Sequence, residues 1–208
     1  MSAMMDSKRR RYKRAVGTRR YKKMFVISTE GTNTEQQYFS MFNNDSATIC
    51  IKCLKSKTAG AAPAYVLNRI RNFLKRERLR KNDEAWIVVD KDTWTDEQLT
   101  DLHNWSRSDT NYNLALSNPS FEYWLLLHFD EGNSIASPSD CLERLKRNLP
   151  NYNKNINAGS FTPEMILFAV NNAKRRDNPR CNDWPRSLGQ TTVYRLVENI
   201  LQVPKANA

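Results

Sequence analysis

From residue 23 the chain alternates short β-branched apolar runs with stretches of helical periodicity. KMFVIST (23–29) reads as a strand, TNTEQQYFSMF (32–42) puts Tyr38, Phe39 and Phe42 on one helical face, and ATICIKCL (47–54) is β-branched again. Pro63 suits a first helical position, and Val66, Leu67, Ile70, Phe73 and Leu74 follow at helical spacing, with a basic outer face ending in KRERLRK. AWIVVD (85–90) is the strongest buried-strand pattern. TDEQLTDLHNW (95–105) opens with a Thr-x-x-Gln capping box, and YNLALSN (112–118) supplies a fourth strand. After residue 119 the strand signal stops. FEYWLLLHF, SPSDCLERLKRNL, TPEMILFAVNNAKRR and TTVYRLVENIL read as four helices, separated by the Asn-rich loops NYNKNINAG and DNPRCNDWP. Strands separated by helical stretches imply right-handed crossovers, so the pattern predicts an α/β fold with a mainly parallel sheet, helices on both faces and a helical C-terminal extension.

In such a sheet, ligands bind outside the carboxyl ends of the strands. The first strand ends in Glu30-Gly31, the third in Asp90-Lys91-Asp92, and the fourth in Ser117-Asn118 shortly before Phe121-Glu122. Four carboxylates are therefore expected on one edge. Like charges a few ångströms apart raise one another's pKa, and a divalent cation removes that cost. Mg²⁺ takes oxygen ligands and keeps several waters, which suits one or two carboxylates per ion with a substrate phosphate beside them. Gly31 is expected to let the chain turn off the first strand without obstructing that phosphate.

Charge changes the picture at one end only. The net charge is +11, and residues 1–23 hold ten Lys or Arg against the single acid Asp6, a balance of +9 that leaves +2 for the rest. Lys8, Arg9, Arg10, Arg11, Lys13, Arg14, Arg19 and Arg20 form a block without apolar periodicity. Such a block is expected to be disordered when free and to bind nucleic-acid phosphates in a salt-sensitive way, or else only to keep the chain in solution. No apolar run approaches the roughly 20 residues of a membrane helix, and no signal-type apolar stretch follows the basic start. Four cysteines are too few for a disulfide scaffold in 208 residues. These features predict a cytoplasmic protein without a membrane partner. Cys50 and Cys53 would face opposite sides of a strand, and no second Cys/His pair follows at ligand spacing, which argues against zinc. No G-x-x-x-x-G-K-[ST] is present, so the chain carries no P-loop of its own.

ISTEGTNTEQQYF, WIVVDKD, LSNPSFEYWLLLHF and the closing TTVYRLVENI occur in the order found in the RloB, or AbiLii-type, family of bacterial phage-defence proteins, and the chain resembles that family over about residues 23–202. Glu-Gly after one strand and Val-Val-Asp-x-Asp after a later one likewise resemble the Toprim domain of topoisomerases, primases and related nucleases. The resemblance implies a Toprim-like core at 23–130 behind a basic tail at 1–22, with a helical extension at 131–208. It further implies Mg²⁺ or Mn²⁺ dependence, endonuclease activity on RNA (tRNA among the candidates) or DNA in abortive infection, and control by a partner ATPase of the ABC or AAA type. Homo-oligomers are compatible with it. Carried over by residue, Glu30 matches the Toprim glutamate, a general acid/base or metal ligand. Asp90 and Asp92 match the Asp-x-Asp metal ligands, and Glu122 matches the acid of the third block.

Three further residues have competing roles. Glu35 either joins the site or closes a Thr32-x-x-Glu35 capping box. Lys91 meets a phosphate or points away from the two aspartates. His128 belongs to the site or is a structural histidine near a helix end. Against catalysis stands a non-catalytic role, in which the same surface only holds nucleic acid or the ATPase.

Overall fold

The computed structural model describes residues 22–43, 48–55, 63–91 and 94–204. The basic tail, with Lys8, Arg9, Arg10, Arg11, Lys13, Arg14, Arg19 and Arg20, lies outside the described residues, and so does Asp92.

Four strands, β1 (Lys23–Thr29), β2 (Ile49–Cys53), β3 (Glu84–Asp90) and β4 (Tyr112–Asn118), run parallel, and a two-residue fifth strand, β5 (Gln190–Thr191), pairs antiparallel with β4. The order across the sheet is β2-β1-β3-β4-β5. The helices between strands are α1 (Thr34–Ser40), α2 (Pro63–Leu74) and α3 (Asp96–Ser106). Beyond the parallel strands lie α4 (Phe121–Leu126), α5 (Pro138–Asn148), α6 (Pro163–Arg176) and α7 (Val193–Leu201).

Period-two patterning explains why the sheet is covered on both faces. In β3, Trp86 and Val88 pack into one apolar cluster with α1 and the C-terminal helices, whereas Ala85, Ile87 and Val89 pack into a second with α2 and α3. Ala115 of β4 joins the first cluster, and Leu114 and Leu116 join the second. A strand buried on both faces reads as a continuous apolar run, and AWIVVD is such a run. The capping box at α3 forms as the sequence predicts: Thr95 Oγ1 accepts from Gln98 N at 3.3 Å, and Thr95 N donates to the Gln98 side chain at 3.0 Å.

Three expectations need correction. The apolar stretch 121–129 is helical only to Leu126, and its last residues turn back so that the His128 ring can reach the Trp124 and Leu125 carbonyls. The final block does not begin as a helix: Gln190 and Thr191 join the sheet edge, and Thr192 N donates to Leu116 O at 2.8 Å, before α7 starts at Val193. The C-terminal segment is therefore not a purely helical addition but completes the sheet. Finally, no capping box forms from Thr32. The residue before α1 is Asn33, without a side-chain cap, and Glu35 is engaged elsewhere.

β1 lies between β2 and β3, so the chain leaves β1 toward one side and β3 toward the other. The gap beyond the carboxyl ends of β1 and β3 is thus the point where strand order reverses, the position at which open α/β sheets bind ligands.

Candidate functional site

Glu30 and Asp90 follow from adjacent strands at this reversal point. Glu30 N donates to Val88 O at 3.1 Å, extending the β1–β3 ladder by one residue. The Glu30 carboxylate then folds back over β3. Its Oε2 accepts from Asp90 N at 3.2 Å and from the Trp94 indole N–H at 3.1 Å. The two strand ends are tied together by one carboxylate, and Trp94 fixes its direction.

A cleft of about 360 Å³ opens here, lined by Glu30 to Glu35, Asp90, Phe121, Glu122 and Lys154. Glu35 comes from the first turn of α1 and is buried; its Oε1 accepts from Gly31 N at 2.9 Å. Gly31 has a φ outside the left-handed region, so conformational freedom does not explain it. Space does: a Cβ there would stand 2.6 Å from the Glu35 Cδ and closer still to its oxygens. The glycine makes room for a carboxylate of its own chain, where the sequence suggested room for a phosphate. Gly31→Ala should therefore push Glu35 off its backbone donor and cost about 1–3 kcal/mol, measured by denaturant unfolding; an unchanged midpoint would show that the carboxylate relocates freely.

Glu122 enters from α4, with only 5% of its surface exposed. It accepts from Ser120 Oγ at 2.6 Å, from the Tyr152 hydroxyl at 2.7 Å and from the Lys154 ammonium. Burial alone would raise its pKa, but these donors outweigh burial and hold it below the ordinary glutamate value. Asp90 is the opposite case. Burial raises its pKa well above the usual range, and Glu35, Glu30 and Glu122 add repulsion that Lys154 only partly offsets. Glu35 is raised by burial too, with a further push from Glu122. Within one cleft, Glu122 is held as an anion while Asp90 and Glu35 resist ionisation, an arrangement typical of functional sites.

Among the described residues, no group of three or more His, Cys, Asp or Glu is already arranged as a metal shell. The hydrogen bonds account for this, since Glu30, Glu35 and Glu122 each turn toward a donor of the protein. The donor chemistry nevertheless fits a hard divalent cation: the acids are oxygen donors, and the surplus of negative charge around Asp90 is what a cation would relieve.

Two expected candidates lie apart. Lys91 Nζ donates to Trp94 O and to Asp96 Oδ1, both at 3.0 Å, and so braces the loop after β3 instead of lining the cleft. His128 is buried among Tyr38, Trp124 and Phe161. Its Nδ1 donates to the Trp124 and Leu125 carbonyls at 3.0 and 3.2 Å, which leaves Nε2 to accept from the Tyr38 hydroxyl at 2.9 Å. Burial lowers its pKa to about 4, so at neutral pH it is an uncharged packing residue.

The residues that local pattern did not reveal are Trp94, Tyr152 and Lys154. Lys154 and Tyr152 sit in the Asn-rich loop of the C-terminal segment, and no spacing links that loop to the strand ends. The loop is fastened to α1: Thr34 Oγ1 donates to Lys154 O at 2.6 Å, Gln37 Nε2 donates to Asn155 Oδ1 at 3.2 Å, and Ile156 N donates to Gln37 Oε1 at 2.8 Å. A larger cleft of about 840 Å³ lies at the other edge of the sheet, beside Tyr112 where β4 begins. Its three acids are engaged outside it: Asp109 with the Asn111 backbone N–H, Asp183 with Arg186 and Glu198 with Lys174.

No helix among the described residues is long and apolar enough to cross a membrane. No match was found among curated proteins or among solved structures. The family model for RloB-like protein matches residues 25–200, which takes in every strand end and loop that builds the cleft. The chain belongs to the RloB-like family.

Proposed function

We propose that this protein is a Mg²⁺- or Mn²⁺-dependent nuclease that hydrolyses phosphodiester bonds in RNA or DNA, as the effector of a phage-defence system governed by a partner ATPase. The observation that carries this is the meeting of Glu30, Glu35, Asp90 and Glu122 in one cleft at the strand-order reversal, with the Asp90 carboxyl raised by burial and by its acidic neighbours. Asp90 and Glu30 would hold the cation, together with Asp92 two residues along the chain. When bound, the ion would polarise the phosphodiester and stabilise the leaving oxyanion. Glu30, which the Trp94 indole and the Asp90 amide orient, would share the ion or else manage a proton of the attacking water. Glu122 keeps the cleft negative and Lys154 limits that charge. The basic segment before β1 adds sequence-independent attraction for phosphates.

The test is cleavage of labelled RNA and DNA by the purified full chain, alone and with a candidate partner ATPase, in Mg²⁺, Mn²⁺ or EDTA. Wild type should cut only with metal, and Glu30→Ala should be inactive at an unchanged fold. Metal-independent nicking, or equal activity of Glu30→Ala, would refute the proposal. Nucleic-acid binding without cleavage under every condition would leave the cleft a holding surface.

A further inference from the structure

We infer that Lys154 is an internal counter-cation of the carboxylate cleft, which competes with the divalent ion and thereby links metal loading to the loop that carries it. The inference rests on the nuclease proposal for the identity of the ion, and it concerns a residue far in sequence from every strand end.

The Lys154 ammonium bonds to Glu122, and its charge also acts on Asp90 and Glu35. The pairing is lopsided: the Glu122 side chain is 7% exposed and that of Lys154 68%. A buried carboxylate loses much by giving up its partner, whereas an exposed ammonium regains water at once. The lysine is therefore the member able to leave when another cation takes over the charge.

The backbone indicates that this position is held deliberately. Lys154 has φ +68°, a left-handed conformation uncommon for a residue with a side chain. Thr34 Oγ1 holds the Lys154 carbonyl from α1, and the Tyr152 hydroxyl, two residues earlier, bonds to the same Glu122 oxygen as the ammonium. Three attachments on two elements define where the ammonium sits, so it is not a long side chain resting by chance on an acid. A monovalent charge fixed beside Glu122 repels a divalent ion entering the same cleft. Removing it should tighten metal binding about tenfold, the scale expected for a +1 charge acting on a +2 ion across a partly hydrated cleft. Tyr152 and Ser120 still satisfy Glu122 after the change.

The experiment is calorimetric titration of Mn²⁺ into the metal-free full chain, for wild type, Lys154→Met, Lys154→Arg and Thr34→Val, with melting temperatures to establish that each is folded. Lys154→Met should bind Mn²⁺ about tenfold more tightly, Lys154→Arg should resemble wild type, and Thr34→Val, which removes the hydroxyl that holds the Lys154 carbonyl but leaves the Gln37 ties, should fall between. Equal or weaker Mn²⁺ binding by Lys154→Met, with wild type binding normally, would overturn the counter-cation role and leave the nuclease proposal standing. Absence of Mn²⁺ binding in both would overturn the two together. If only Lys154→Met binds, the competition is upheld in its strongest form.

Discussion

Asp90→Asn should abolish metal-dependent cleavage, by at least about a hundredfold, and at the same time raise the melting temperature of the metal-free protein. The two effects share one cause. The folded protein holds the Asp90 carboxyl above its ordinary pKa because burial disfavours the anion and Glu35, Glu30 and Glu122 repel it. A carboxyl raised in the folded state contributes its stability below the unfolded value of 3.8 and loses it as pH climbs through the folded value. The gain from Asn should therefore be absent at about pH 3 and largest above neutrality, where wild type carries the full repulsion. For a chain of this size each kcal/mol relieved appears as roughly 2–4 °C. Millimolar Mg²⁺ should reverse the order, stabilising wild type and leaving Asp90→Asn unmoved. Melting curves at pH 3, 6 and 8, with and without Mg²⁺, test the stability arm, and the cleavage assay tests the other. Equal melting temperatures at pH 8 together with retained cleavage would make Asp90 an ordinary strand-end residue.

His128 should control stability and not chemistry. Its folded pKa is lowered from 6.5 to about 4 by burial, so acidification protonates the unfolded chain first. Stability from this residue is complete above pH 6.5 and drains away down to about pH 4. At 1.36 kcal/mol per pKa unit the loss is roughly 3 kcal/mol. Asp90 and Glu35 oppose it, since raised carboxyls gain stability on acidification. The difference between wild type and His128→Gln across pH 4–7 therefore isolates the histidine. His128→Ala should cost about 3–5 kcal/mol at neutral pH, because it opens a cavity among Tyr38, Trp124 and Phe161 and strips the Tyr38 hydroxyl of its acceptor. Cleavage per folded molecule should be unchanged. A large fall in turnover by folded His128→Gln would place the residue in the reaction after all.

The local pattern of apolar residues determined most of the framework. AWIVVD, KMFVIST and YNLALSN could hardly be anything but strands buried on two faces, and the helical stretches between them forced parallel crossovers. Once the sheet was parallel, Glu30 and Asp90 had to emerge at the same edge, because both close their strands in the same direction. The sequence by itself also named Glu122 through its family block, and the structure places it in the same cleft.

What only the tertiary structure decided depends on partners distant in the chain. The final block opens as an edge strand because β4 offers unpaired backbone groups there, a condition no local propensity encodes. Thr32-Asn33-Thr34-Glu35 carries the letters of a capping box, yet Glu35 does more by filling the space beside Gly31. The same four residues fit both arrangements, and packing chose between them. His128 and Lys154 exchanged the places that proximity in sequence suggests: the histidine six residues past Glu122, just beyond the end of α4, points into the aromatic core, while a lysine 32 residues beyond Glu122 returns to neutralise it. Sequence spacing fixes which faces a residue shares within its own element, but the neighbours of a charge are chosen by how the elements fold onto one another, and in this cleft those neighbours push Asp90 and Glu35 toward the neutral form and hold Glu122 as an anion.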